Sequence, residues 1–121
     1  MKMVLDVGQC AVDHRSMRKV VESLDAKVRR VHLPKEAIEI LEKEPVDLVL
    51  VNRIIDRDGS EGIDLIREIR SRQTTRAVPV MLISDFSEAQ KAAVDAGAVL
   101  GFGKKDLKEG KTRELLAQYL Q

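Results

Sequence analysis

Cysteine and aromatic side chains are scarce in this chain. Cys10 is the only cysteine among 121 residues. An internal disulfide is therefore excluded, which fits a reducing compartment. Tryptophan is absent, and Phe86, Phe102 and Tyr119 are the only aromatics. A stacking platform for single-stranded nucleic acid has almost nothing to be built from. Neither sign of charge dominates: 21 Lys and Arg face 20 Asp and Glu, for a net charge of +1. No broad electrostatic pull toward nucleic acid is expected. No apolar run is long enough to cross a bilayer, and Asp6 follows Lys2 too closely for the apolar core of a signal peptide. The expected location is cytoplasmic, without a membrane partner.

What is present suits one globular domain over residues 1–121. Hydrophobic residues make up 44% and charged residues 34%. That is enough apolar surface for one sheet covered on both faces, with a well-solvated exterior. Met3 to Val7 reads as a first strand stopped by Gly8. Asp13 is a plausible N-cap for a helix through Leu24, with Met17, Val20, Val21 and Leu24 at helical spacing. Lys27 to Val31 suits a charged edge strand. Pro34 opens a second helix with an apolar stripe of Ala37, Ile38 and Leu41. The Leu/Val run from Asp47 to Asn52 is typical of a central parallel strand buried on both faces.

A polar loop from Asp56 to Gly62 leads to a third helix, with Ile63, Ile66 and Ile69 expected inward. Val78 to Ser84 reads as another buried strand. Ser87 and Gln90 have capping-box spacing at the head of an alanine-rich helix ending near Ala96. Val99 to Phe102 makes a fifth strand, and a last helix spans roughly Thr112 to Tyr119. Five alternating strand–helix units predict a parallel sheet with right-handed crossovers and helices on both faces. The expected fold is α/β, a flavodoxin-like (βα)5 three-layer sandwich with strand order 2-1-3-4-5. Ligand sites in such sheets lie outside the carboxyl ends of the strands, which directs attention to Gly8, Gln9, Asn52, Ser84 and Lys104.

The chain resembles a response-regulator receiver domain over nearly its full length. Val78 to Ser84 is similar to the family's fourth strand, which ends in a switch Ser or Thr. Ala96-Gly97-Ala98 followed by Lys104 is similar to its turn and lysine around strand five. Glu36-Ala37 and Asp47 to Val51 match its second helix and third strand. The resemblance also marks departures. Asn52 stands where the family carries the phosphate-accepting aspartate, and Gly8 and Gln9 stand where it carries the acidic pair that holds magnesium. Lys105 replaces the usual proline after the lysine. Gly101 takes the place of the switch aromatic, with Phe102 one position later. The loop between Asn52 and Gly62 is longer.

Those departures remove chemistry. An asparagine amide has delocalised lone pairs and forms no stable acyl phosphate, so Asn52 cannot act as the nucleophile. Gly8, Gln9 and Asn52 offer magnesium only neutral oxygens. The expectation is no bound metal, no cofactor and no catalysis. Restoring phosphorylation should require carboxylates at positions 8, 9 and 52 together. The resemblance implies that Lys104 points inward, within reach of the Asn52 carbonyl; the plain alternative is a solvated lysine. Ser84 could gate a loop or simply satisfy a strand-end amide.

Other signals are weaker. Asp6, Asp13, Asp56 and Asp58 could in principle rebuild a metal site, but a cap for Asp13 and turn positions for Asp56 and Asp58 are simpler. His14 is expected to be exposed, and His32 has no partner in sequence. A buried structural role suits Cys10 better than a redox role. Arg67, Arg70, Arg72 and Arg76 suit a solvated helix face and its exit loop. Gly110-Lys111-Thr112 lacks the rest of a P-loop and reads as a helix start.

The functional expectation is an atypical receiver in a two-component-like system, acting by phosphorylation-independent protein contact. The partner would be another signalling protein, an output domain or a second copy. The resemblance implies a docking face on the fourth helix, fifth strand and fifth helix, including Ala89, Ala93, Phe102 and Tyr119. The alternative is a domain that binds a small anion or small molecule in the relict pocket.

Overall fold

Four short, largely apolar segments and one charged edge segment pair side by side into one parallel sheet, and the amphipathic segments between them cover its two faces. The computed structural model describes residues 1–121. The elements are β1 (Met3–Val7), α1 (Ala11–Glu22), β2 (Lys27–Val31), α2 (Pro34–Lys43), β3 (Leu48–Asn52), α3 (Gly62–Ser71), β4 (Val80–Ile83), α4 (Ser87–Asp95), β5 (Val99–Phe102), a 3-10 turn (Lys104–Asp106) and α5 (Gly110–Leu120). The strand order is β2-β1-β3-β4-β5, all parallel. This is the flavodoxin-like arrangement that the alternation of elements predicts. No helix is long and apolar enough to cross a membrane.

Alternation along each strand sorts the core into two halves. Leu5, Val7, Val49, Val51 and Leu82 face one layer with Ile38, Leu65, Ile66, Ile69 and Ala93. Val4, Leu48, Leu50, Met81 and Ile83 face the other with Met17, Val21, Leu116 and Leu120. Successive strand side chains point to opposite faces, so each continuous apolar run feeds both layers. Leu50 is fully buried. Its burial contributes about 2 kcal/mol, and Leu50→Ala would cost about 2–5 kcal/mol through lost contacts and the cavity left behind.

Three local expectations are corrected. Cys10, not Asp13, is the N-cap of α1, and Asp13 sits within the first turn. Leu65 joins Ile66 and Ile69 on the buried face of α3, while Ile63 is half-buried. Ser87 and Gln90 form no capping box: the residue before α4 is Phe86, with no side-chain cap. Gln90 instead ties β4 to β5. Its Nε2 donates to the carbonyls of Leu82 and Ser84, and its Oε1 accepts from the Gly101 amide. A long-range partner has taken the side chain from the local one.

Candidate functional site

The carboxyl ends of β3 and β4 converge with the start of the 3-10 turn on a cleft of about 320 Å³, lined by Asn52, Arg53, Ile54, Ile83, Ser84, Asp85, Phe86 and Lys104. A larger cleft of about 640 Å³ lies between α2 and α3. Its Glu42 and Glu68 are already paired with Arg72. The smaller cleft stands where a parallel sheet of this order presents its ligands.

Asn52 ends β3, and its amide is turned inward. Nδ2 donates to the Gly8 carbonyl at 3.0 Å and to the Ile54 carbonyl at 2.8 Å. Both amide protons are thereby used, and the side chain ties the end of β3 to the end of β1. Gly8 leaves β1 with φ +81°, a conformation that side chains with a Cβ rarely adopt. A Cβ at this position would stand 2.5 Å from Ile55 Cδ1. Ile55 is fully buried and belongs to the core. The loop that carries it folds back over β1: the Asp56 amide donates to Gly8, the Ile55 amide to Ser60, and Gly62 to Arg53. An antiparallel bridge between Ile54 and Glu61 closes the loop. The space of a side chain at position 8 is therefore filled by Ile55. Nothing in the sequence pattern beyond the longer loop could have singled out that residue.

Gln9 is buried, and neither atom of its amide has a hydrogen-bond partner. It does not line the cleft. No group of three or more His, Cys, Asp or Glu side chains could hold a metal ion. The residues do not fit magnesium. Position 8 has no side chain and no room for one, Asn52 offers only a neutral oxygen, and the single carboxylate lining the cleft, Asp85, already accepts the Lys105 amide.

Lys104 corrects an expectation. Its Nζ pairs with Asp13 Oδ2 at 2.8 Å, not with the Asn52 carbonyl. Lys104 beside it holds the Asp13 carboxyl below the usual range, against partial burial. The pair is about one-third exposed on each side. It bridges α1 to the turn after β5 at the rim of the cleft. Ser84 is buried, and its Oγ accepts the Phe86 amide just after β4. The Arg53 guanidinium lies 5.1 Å over the Phe86 ring, a cation–π contact across the mouth of the cleft.

Asp6 and His14 form a second polar centre. Asp6 is wholly buried in β1, beside Arg30 of β2 and Leu50 of β3 in the sheet register. His14 Nδ1 lies 2.7 Å from Asp6 Oδ2, and the imidazole is largely buried rather than exposed as expected. Burial pushes the Asp6 carboxyl up to about 6, opposed by the His14 bond and charge, the adjacent Gln9 amide and the Arg30 charge. Asp6 thus faces inward to a histidine, and Asp13 faces Lys104. Neither is free to rebuild a metal site.

The expected docking face is corrected in part. Ala93 is wholly buried and Phe102 is 6% exposed, both within the core. Ala89 and Tyr119 are half-buried. The apolar groups that reach solvent on this side are Val94 of α4, Leu100 of β5 and Phe86 before α4. Arg70 is also more than a solvated face residue. Its guanidinium donates to the Gly97 and Val78 carbonyls and ties α3 to the loops around β4.

Comparison with known proteins places this architecture. No curated protein matches the sequence. Among solved structures, the receiver domain of a sensor histidine kinase from Pseudomonas aeruginosa, with a magnesium ion coordinated in its active-site cleft, is similar at TM-score 0.79 and 20% identity, covering 98% of this chain and 97% of that one. The signal receiver domain of a histidine kinase from Syntrophus aciditrophicus gives 0.76 and 20%, covering 98% and 91%. A CheY-like receiver domain protein from Methanospirillum hungatei gives 0.73 and 20%, covering 98% and 90%. At this identity the likeness speaks for the fold. The response regulator receiver domain family matches residues 11–117, from the start of α1 almost to the end of α5 and so beyond Gly8 and Gln9. The chain therefore belongs to the response regulator receiver domain family of two-component signalling.

Proposed function

We propose that this receiver domain works without accepting a phosphoryl group and signals by contact with another protein. One observation carries the reading: Gly8, Gln9 and Asn52 stand where the resemblance calls for carboxylates, and Ile55 fills the space that a side chain at position 8 would need. A receiver needs a nucleophile and a cation to stabilise a transferred phosphoryl group. Here the amide of Asn52 is spent on Gly8 and Ile54. The domain is a binding module and not an enzyme.

The contact face is α4 with β5 and its flanks. It presents Leu100 at 61% and Phe86 at 61% exposure, together with Val94. Exposed leucine and phenylalanine side chains on such elements suit apolar anchors in a partner pocket. The partner is another signalling protein or an output domain. Two groups that a small anion in the cleft would use, the Asn52 amide protons and the Lys104 charge, are already engaged within the chain, and Arg53 lies over the Phe86 ring.

The test has two arms. Intact-mass analysis after incubation with acetyl phosphate and magnesium should show no added phosphoryl group. A partner captured on the immobilised domain, then purified, should bind in calorimetry with the same affinity with or without acetyl phosphate, and about tenfold or more weaker to Leu100→Asp. A stoichiometric base-labile adduct, or binding that requires acetyl phosphate, would refute the reading.

A further inference from the structure

The buried centre at Asp6 has no part in the proposal above and stands on its own geometry. A carboxylate without solvent contact lies in the middle of a sheet, bonded on one oxygen and idle on the other. Oδ2 takes the His14 ring at 2.7 Å, while Oδ1 has no partner. Both atoms of the buried Gln9 amide are idle as well, as is Arg30 Nε. The Gln9 amide lies close enough to lower the affinity of Asp6 for a proton. The only other Gln9 contact in this centre is its backbone carbonyl, which accepts Arg30 at 3.4 Å. The charged and titratable groups that bear on Asp6 are His14 from α1 and Arg30 from β2; β3 presents the apolar Leu50.

Such a centre has two arrangements. With Asp6 ionised, the carboxylate only accepts, so His14 must carry its proton on Nδ1 and the bond is charge-assisted. It fastens the first turn of α1 to β1. With Asp6 protonated, the carboxyl gains a donor, and Gln9 Oε1 is a buried acceptor without a partner. The bond to His14 then loses its charge assistance. The preceding residue of α1, Asp13, holds Lys104 at the rim of the cleft. A shift of that helical turn is passed to Lys104 by one ion pair.

We propose that Asp6, His14, Gln9 and Arg30 form a proton-operated latch: uptake of a proton at Asp6 Oδ1 adds a bond to Gln9, strips the His14 bond of its charge assistance and loosens the Asp13–Lys104 contact at the cleft. The fold is retained, and only the bonding at Asp6 changes. Raising the Asp6 carboxyl to about 6 by burial puts the change within reach of cellular pH.

The experiment is an NMR titration of the full chain from about pH 5 to 8. Amide signals of Gln9, Asp13, His14 and Lys105 and the Lys104 Nζ signal should shift with one shared midpoint. Exchange of the His14 amide, which donates to the Cys10 carbonyl, should speed up about threefold or more below it, after correction for intrinsic rates. Asp6→Asn is neutral, accepts from His14 and donates to Gln9. Its spectrum at neutral pH should resemble wild type at low pH at Asp13 and Lys104, and should lose the shared midpoint. His14→Gln, which keeps a side-chain donor without titrating, should move the midpoint and serves alone if Asp6→Asn does not fold. Shifts confined to His14 itself, or a midpoint unchanged in either variant, would overturn the latch.

Discussion

Ile55 Cδ1 occupies the space that a Cβ on residue 8 would take, at 2.5 Å from its ideal position, and Gly8 answers with φ +81°. The two residues are fitted to each other across the β1 and β3 ends. This makes position 8, where the resemblance calls for an acidic residue, a packed surface rather than an open pocket with one group missing.

Gly8→Ala should therefore be destabilising. The new methyl meets Ile55 on a backbone that disfavours it, and the loss should be about 1–3 kcal/mol in urea denaturation. Ile55→Ala alone should cost about 2–5 kcal/mol. The double variant should lose less than the two losses added, with a coupling of about 0.5–3 kcal/mol. Simple additivity would mean that Gly8 is chosen for its backbone alone.

Asn52→Asp should neither restore phosphorylation nor be harmless. The oxygen replacing Nδ2 would face the Gly8 and Ile54 carbonyls, three acceptors without a proton. A cost of about 1–3 kcal/mol is expected. Mass analysis after acetyl phosphate and magnesium should find the variant unmodified. The sequence argument makes carboxylates at positions 8, 9 and 52 all necessary, with the longer loop a further obstacle. The packing adds a requirement: a Cβ at position 8 would stand 2.5 Å from Ile55 Cδ1, so Gly8→Asp also needs Ile55 to give way.

Isothermal calorimetry with magnesium at millimolar concentration should register no site at the cleft. Asp85 is the one carboxylate lining the cleft, and its Oδ1 already accepts the Lys105 amide; the other side-chain oxygens there are neutral. A one-to-one magnesium isotherm abolished by Asp13→Asn would show that Asp13 leaves Lys104 to serve a metal.

The stability of the fold should depend on pH through Asp6 with a definite sign. Its folded carboxyl sits at about 6 against an ordinary value of 3.8. The native state then binds the proton more tightly than the unfolded state. Stability from this group rises as pH falls through 6 and is fully gained below the unfolded value. The size is roughly 2–3 kcal/mol. Asp6→Asn should be more stable than wild type at neutral pH, with the advantage shrinking toward pH 4. Chemical denaturation at several pH values checks this, and a variant that loses ground at neutral pH relative to pH 4 would contradict it.

Much of this protein is local in origin. The Leu/Val run of β3, Pro34 at the head of α2 and the regular alternation of elements fix the strand order, because parallel strands joined by helices have few right-handed solutions. Asn52, Gly8 and Gln9 mark, by identity set against the resemblance, the positions where it calls for carboxylates. What the sequence could not declare depends on which groups meet across the sheet. Asp13 has the spacing of a cap, yet Lys104 from the far end of the chain claims it. Gln90 has the spacing of a capping box, yet three carbonyls from β4 and β5 surround its amide. His14 looks like a surface residue until β1 places Asp6 beneath it. Phe102 looks like an exposed anchor until the sheet turns it into the core. Periodicity within one segment reports the face that a residue shares with its neighbours in sequence. It carries no record of the strand or turn that folding brings against that face, and at Gly8 and Ile55 that meeting decides the shape of the site.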